Sequence, residues 1–239
     1  MSAIDESASK VNTLSATVFM QNCSLSGQVV FRKLPEKWFT LFDGDPIMMP
    51  LPEGAPREIP VLILRSKSQN WSCSFTSERI GFQWTMNEAQ KELDVSIFFA
   101  QAVEFFDDIK AVLNIQIGRM AAICHRYIVC DNPGILLAAH FCKDRWLEAP
   151  LNRPENFELH SHKKYMIYDE LEVNSWVRAK TAILSPTKEP VIFVEQDINT
   201  LAENIDINVN DEDMSKFFNY AQSELDKVFG LYFPKEEIV

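Results

Sequence analysis

Apolar and polar residues alternate along this chain with two periods, and the longest helical one covers residues 94–114. Val95, Phe98, Phe99, Ala102, Phe105, Phe106, Ile109, Val112 and Leu113 recur there at spacings of three and four, with Gln101, Glu104, Asp107, Asp108 and Lys110 opposite. The spacing predicts an amphipathic helix whose apolar stripe needs a large surface to lie on. Asp94 is placed to cap it, because its carboxylate can accept a hydrogen bond from a free N–H of the first turn. A second such helix is predicted over residues 211–229, with Met214, Phe217, Phe218, Ala221, Leu225, Val228 and Phe229 on one side and Gly230 where a left-handed C-cap belongs.

Elsewhere the period is two. Residues 13–21 set Leu14, Ala16, Val18 and Met20 on one face of a strand. A short helix is predicted after Pro35, through Trp38, Phe39, Leu41 and Phe42, with Gly44 ending it. A proline-rich loop follows, then three strands over 61–67, 71–76 and 79–85, the last two alternating Trp71, Cys73, Phe75 and Ile80, Phe82, Trp84 with polar residues. The order then recurs. Residues 119–130 read as a strand, Asn132-Pro133 begins a short helix to Phe141, and 157–167, 171–183 and 191–195 read as three strands with turns at 169–170 and 185–190.

The expected fold class is therefore α+β. After a flexible tail at 1–12, two similar halves, 13–115 and 116–239, each run strand, short helix, three-strand antiparallel meander, long amphipathic helix. The helices are expected to pack on one face of the sheet, since that satisfies both apolar surfaces and makes one compact unit. Residue identity between the halves is low, so the internal repeat is one of element order.

Composition narrows the function classes. A chain of 239 residues buries roughly 70–75% of its unfolded surface, enough for a core without staples. The net charge of −11 repels a phosphate backbone in the mean and disfavours nucleic acid as partner. Cys23, Cys73, Cys124, Cys130 and Cys142 include no Cys-x-x-Cys pair, which points to a reducing, cytoplasmic setting and away from a zinc ribbon. The first ten residues lack the basic end and apolar run of a secretory signal, and no apolar run is long enough for a bilayer.

Two stretches carry candidate chemistry. His160 and His162, two apart on a predicted strand, point to the same side and are candidate metal ligands; exposed strand histidines beside Lys163 and Lys164 are the commoner outcome, because a third ligand must come from elsewhere. Ile47, Met48, Met49 and Leu51, in the loop 45–60, are candidate partner contacts: apolar and adaptable, between prolines that keep them out of a sheet. The alternative is that they close one end of the core. Cys124 beside His125 and Cys142 near His140 diverge on a strand and a helix respectively and read as buried thiols. Asp43-Gly-Asp45 fails as a calcium loop at Met48, and no phosphate loop, nucleophile elbow or zincin motif is present.

At Arg126-Tyr127-Ile128, after the first long helix and a strand, the chain resembles a sporadically distributed family of uncharacterised prokaryotic proteins. That family has an apolar helix, an Arg-Tyr-Ile-Asn type strand and a final helix followed by Phe and a short tail, as in residues 229–239 here; Val129 stands at the Asn position. The resemblance implies a partner-dependent accessory of a defence or toxin-control system, with no catalytic residues to carry over. The expectation is a non-catalytic, cytoplasmic interaction or regulatory protein without a cofactor, bound to another protein or to itself. Two alternatives are a module holding an apolar small molecule between sheet and helix, and a metal-dependent enzyme built on His160 and His162.

Overall fold

The computed structural model describes residues 8–20, 25–52, 54–87, 92–148, 151–168, 171–185, 187–206 and 208–234. In chain order they form β1 (Ser9–Met20), α1 (Gly27–Lys33), α2 (Trp38–Leu41), β2 (Ile47–Met48), β3 (Leu62–Arg65), β4 (Trp71–Phe75), β5 (Arg79–Thr85) and α3 (Val95–Leu113). Then come β6 (Ile117–Val129), α4 (Pro133–Phe141), α5 (Asp144–Leu147), β7 (Glu158–Ile167), β8 (Leu171–Ile183), β9 (Pro190–Thr200), a 3-10 turn at Ala202–Asp206 and α6 (Asp211–Tyr232). The strands make one antiparallel sheet ordered β2-β3-β4-β5-β1-β6-β9-β8-β7. The fold is α+β, and β1 and β6 form its centre, with Leu14 opposite Cys124 and Val18 opposite Met120.

The inner face of the sheet is apolar because alternate residues all turn one way. Leu14, Ala16 and Val18 of β1, Ile80, Phe82 and Trp84 of β5, and Met120, Ala122 and Cys124 of β6 are buried under α3 and α6. The predicted helical stripe is the buried one: Val95, Phe98, Phe99, Ala102, Phe105, Phe106 and Ile109. Phe82 is the hub, with ring centres at 5.0 Å from Phe105, 5.7 Å from Phe98, 5.4 Å from Trp71 and 5.9 Å from Phe42. Phe218 of α6 stacks on both Phe99 and Phe106 of α3, at 5.9 and 5.8 Å. Such ring pairs add to the area they bury.

Side chains hold three of the ends of the two long helices. Asp94 accepts from Ser96 N at 2.7 Å and from Ser96 Oγ, and these bonds lower the pKa of its carboxyl. Asn210 caps α6 by accepting from Asp213 N at 2.8 Å. Lys110, in the last turn of α3, donates to Val209 O at 3.0 Å and pairs with Asp211 at 2.6 Å, so a cation at one helix's C-terminus meets an acid at the other's N-terminus. Gly118 lets the Ala202–Asp206 turn close on β6: a Cβ there would lie 1.8 Å from Ile205 O.

Several boundaries differ from expectation, each for a physical reason. β1 begins at Ser9, inside the predicted tail, because Ser9 and Lys10 pair with Ile128 and Tyr127; residues 1–7 lie outside the described ones. Helix α6 does not stop at Gly230, since Tyr232 and Phe233 pack against Phe141 and His140 of α4, with Phe229 against Phe233, and hold the next turn. β9 continues five residues past Glu195, its polar side chains finding partners: Gln196 Nε2 donates to Leu225 O at 2.7 Å and Thr200 Oγ1 accepts from Met120 N at 2.9 Å. Ile47 and Met48 pair with Ile63 and Leu62 as β2, so proline flanks do not keep them out of the sheet. The predicted turn at 169–170 lies outside the described residues.

Phe82→Ala is expected to lower the unfolding free energy by about 3–5 kcal/mol, because the surrounding rings cannot all collapse into the space. A urea titration with reduced midpoint and unchanged slope is the check.

Candidate functional site

Among the described residues no helix covers the outer face of the sheet, and that face divides into two unlike parts. Over β4, β5 and β1 it is flat and hydroxyl-rich, with Ser72, Ser74, Gly81, Gln83, Ser15 and Thr17 in register. Over β6, β9, β8 and β7 it carries Arg119, His125, Phe193, Glu195, Asp197, Trp176, Arg178, Lys180 and His162. Strand alternation dictates this, since every one of these residues is flanked by residues that face the core.

These side chains hold one another across strands. Trp176 lies between two neighbours: the His162 ring stacks on it at 4.0 Å and 13°, and the Arg178 guanidinium lies 4.9 Å from its centre. His162 Nε2 donates to Asn174 Oδ1 at 3.0 Å, Asn174 Nδ2 to Asn199 Oδ1 at 3.2 Å, and Asn199 Nδ2 to Asp197 at 2.9 Å. Arg119 adds a bond to Asn199 Oδ1 at 3.2 Å and sits 4.6 Å over the Phe19 ring. A parallel chain runs from Arg178 through Glu195 to His125, whose Nε2 is 3.3 Å from Glu195 Oε2. His125 and Lys180 flank Phe193 at 5.2 and 5.7 Å. Trp176 and Phe193 thus each have a histidine and a cation beside the ring.

The charges are fixed against their own solvation. Burial raises the carboxyl pKa of Asp197, against the bond from Asn199 and the nearby Arg178. Burial lowers the imidazole pKa of His125, against the pull of Glu195. Lone groups placed so are held by neighbours that cannot move away without breaking their own bonds.

The residues singled out in the sequence fall in different places. His160 and His162 do share the outer side of β7, but His160 Nε2 faces Glu158 at 3.4 Å while His162 is taken by Trp176 and Asn174. Among the described residues no three His, Cys, Asp or Glu side chains gather to hold a metal ion. Ile47 and Met48 are exposed on edge strand β2; Met49 and Leu51 are half-buried, and Leu51 packs on the core. Cys124 faces inward, its thiol pKa pushed up to about 11 by burial, on the opposite side of β6 from His125. Trp176, Arg178, Phe193, Glu195 and Asp197 were missed; the alternation of Trp176, Arg178 and Lys180 along one predicted strand is the signal that finds them.

Two concavities lie at element ends. One, of about 530 Å³, is lined by Asn132, Gly134, Arg153, Asn156, Thr181 and Ile183; the other, of about 340 Å³, by Asp107, Lys110, Asn114, Asn208 and Asp211. The space between the sheet and α3 is filled by Phe82, Phe98, Phe105 and Phe106.

No family model matches the chain, and no curated protein matches it. Among solved structures it aligns with the "di-domain ARO/CYC StfQ from the steffimycin biosynthetic pathway" at 8% identity and a TM-score of 0.20, over 92% of this chain and 97% of that one. A likeness at that score carries no inference about fold or function.

Asp197→Asn keeps an acceptor for Asn199 and removes a buried charge, so the variant is expected to melt higher than the parent at pH 7. Because the folded pKa is raised, the gap is present above it and closes as pH falls through it and the parent's carboxyl protonates. Melting curves from pH 7 down to pH 4 measure both signs.

Proposed function

We propose that this chain is a non-catalytic protein-binding module whose contact surface is the helix-free face of the sheet, centred on Trp176 and Phe193. The observation that carries the reading is Trp176 held between His162 and Arg178 on a face that no described helix covers. Tryptophan and arginine dominate binding energy where they are rigid and become desolvated by a partner. Here the hydrogen-bonded rails fix their positions beforehand, which lowers the ordering entropy lost on association.

Asp197 supports the same reading from the side of stability. A partly buried carboxylate with a raised pKa opposes folding at neutral pH, and groups of that kind concentrate where function requires them. The partner class is protein because Glu195 and Asp197 stand in the middle of the platform and the chain carries −11, both unfavourable to phosphates. The apolar-ligand alternative is less well supported, since phenylalanine side chains fill the space it would need.

Trp176→Ala is expected to weaken capture of a native partner by about thirtyfold, the equivalent of about 2 kcal/mol. Quantitative affinity capture from native cells, with mass spectrometry, compares it with the parent and with Ser74→Ala on the hydroxyl-rich part. Equal recovery by all three, with unchanged circular dichroism, removes the platform from consideration.

A further inference from the structure

The two edges of the sheet are built differently. β2 is two residues long and lies between Pro46 and Pro50, which bring no N–H to a ladder, so that edge offers little to a further strand. β7 runs for ten residues, from Glu158 to Ile167, and among the described residues it hydrogen-bonds on one side only, to β8. Thr181 N donates to Phe157 O at 3.3 Å, which places the bonds to β8 at the odd-numbered residues of this ladder. Glu158, His160, His162 and Lys164 therefore direct their N–H and C=O groups outward, a template for one more strand.

The side chains along this edge complement their own copy. An antiparallel β7 related by a two-fold axis through Ser161 sets each residue against the one equally far beyond Ser161 in the partner. On the outer face exposed Glu158 then meets the partner's exposed Lys164, and His160 meets the partner's His162. On the inner face the half-buried ring of Phe157 meets that of the partner's Tyr165, and Ser161 meets its own copy. Symmetry makes each of these contacts twice, and acid–base and ring–ring pairs directly opposite are those that stabilise antiparallel strands. An axis at His162 instead sets Glu158 against the partner's Met166 and His160 against its Lys164; an axis at His160 sets Lys164 against Asn156. Neither gives Lys164 an acid. Lys163, the cation of the inner row, has its ammonium held by Glu224 at 3.1 Å, so it is the stem that lies opposite the partner's Leu159.

We propose that β7 pairs with β7 of a second copy of this chain about a two-fold axis at Ser161, joining two nine-stranded sheets into one. Main-chain bonds from the outward groups hold the two strands, and the Glu158 to Lys164 contacts at both ends fix the register. Because the opposite edge is short and flanked by prolines, the pairing closes at two copies and does not continue into a fibre. The axis stands perpendicular to the sheet, so the helix-free faces of the two copies lie on the same side. The pairing itself holds whether or not those faces bind a partner.

Sedimentation equilibrium of the full chain is expected to show monomer and dimer in exchange, with amide hydrogen exchange at β7 slowing as concentration rises. Lys164→Glu sets acids opposite each other at both ends of the contact, and Glu158→Lys sets bases there. Each variant alone is expected to dimerise about tenfold more weakly than the parent. Mixing the two variants, or placing both substitutions in one chain, restores opposite charges only in this register, and dimerisation is expected to return to within about threefold of the parent. A parent that stays monomeric at every concentration overturns the proposal. So do single variants that dimerise as the parent does, a double variant no better than the single ones, protection confined to residues outside β7, or assembly that proceeds beyond the dimer.

Discussion

The contact between α3 and α6 is the constraint on which the rest of this molecule depends. Phe218 lies against Phe99 and Phe106, and Lys110 ties the end of one helix to the beginning of the other. Because the two long helices satisfy part of their apolar surface on each other, both must stay on the same side of the sheet. The inner face of the sheet is then covered by aromatic packing around Phe82 and, towards β8, by a second cluster that includes Ile128, Leu137, Val177, Ile192 and Phe229, and the opposite face is left to side chains that must satisfy themselves. The core and the candidate site are two outcomes of one arrangement.

Those outer side chains do satisfy themselves, and in doing so they become rigid. Arg178 is shared between a carboxylate and an indole, His162 between an indole and an amide, and Asn199 among Arg119, Asn174 and Asp197. A face of freely rotating polar groups would be an ordinary solvated surface. A face on which Arg178, His162 and Asn199 each hold two or more neighbours presents a set shape.

Much of the fold was legible in the sequence because the phenylalanines of α3 leave no ambiguity about period, and the Asp94 cap and Pro133 in the first turn of α4 mark starts that chemistry favours, although Asn132 makes no side-chain cap bond. What was not legible lies where tertiary contacts override a local signal. Gly230 reads as a stop, yet Phe233 is buried against His140 and draws the helix past it. Residues 196–200 fall outside the predicted strand 191–195, yet Gln196 and Thr200 have bonding partners in α6 and β6 that no local window contains. The site was half legible. His160 and His162 do face the same way, but their neighbours are set by the register of β7 on β8 and of β8 on β9, and sequence periodicity does not carry register.

The central position of β1 has a consequence for how the chain is made. Among the described elements β1 precedes every other strand in sequence and sits in the middle of the sheet, hydrogen-bonded to β5 on one side and to β6 on the other. Until β6 has left the ribosome, one whole edge of β1 is without its partner, and the inner face waits longer still for α6, which follows every described strand. Pairings of such wide sequence separation form slowly, and a nascent chain holding an unpaired, apolar-faced strand is open to wrong pairing with other chains. The topology that unites the strands in one sheet therefore also defines a vulnerable interval during translation, which closes only once α6 has been made.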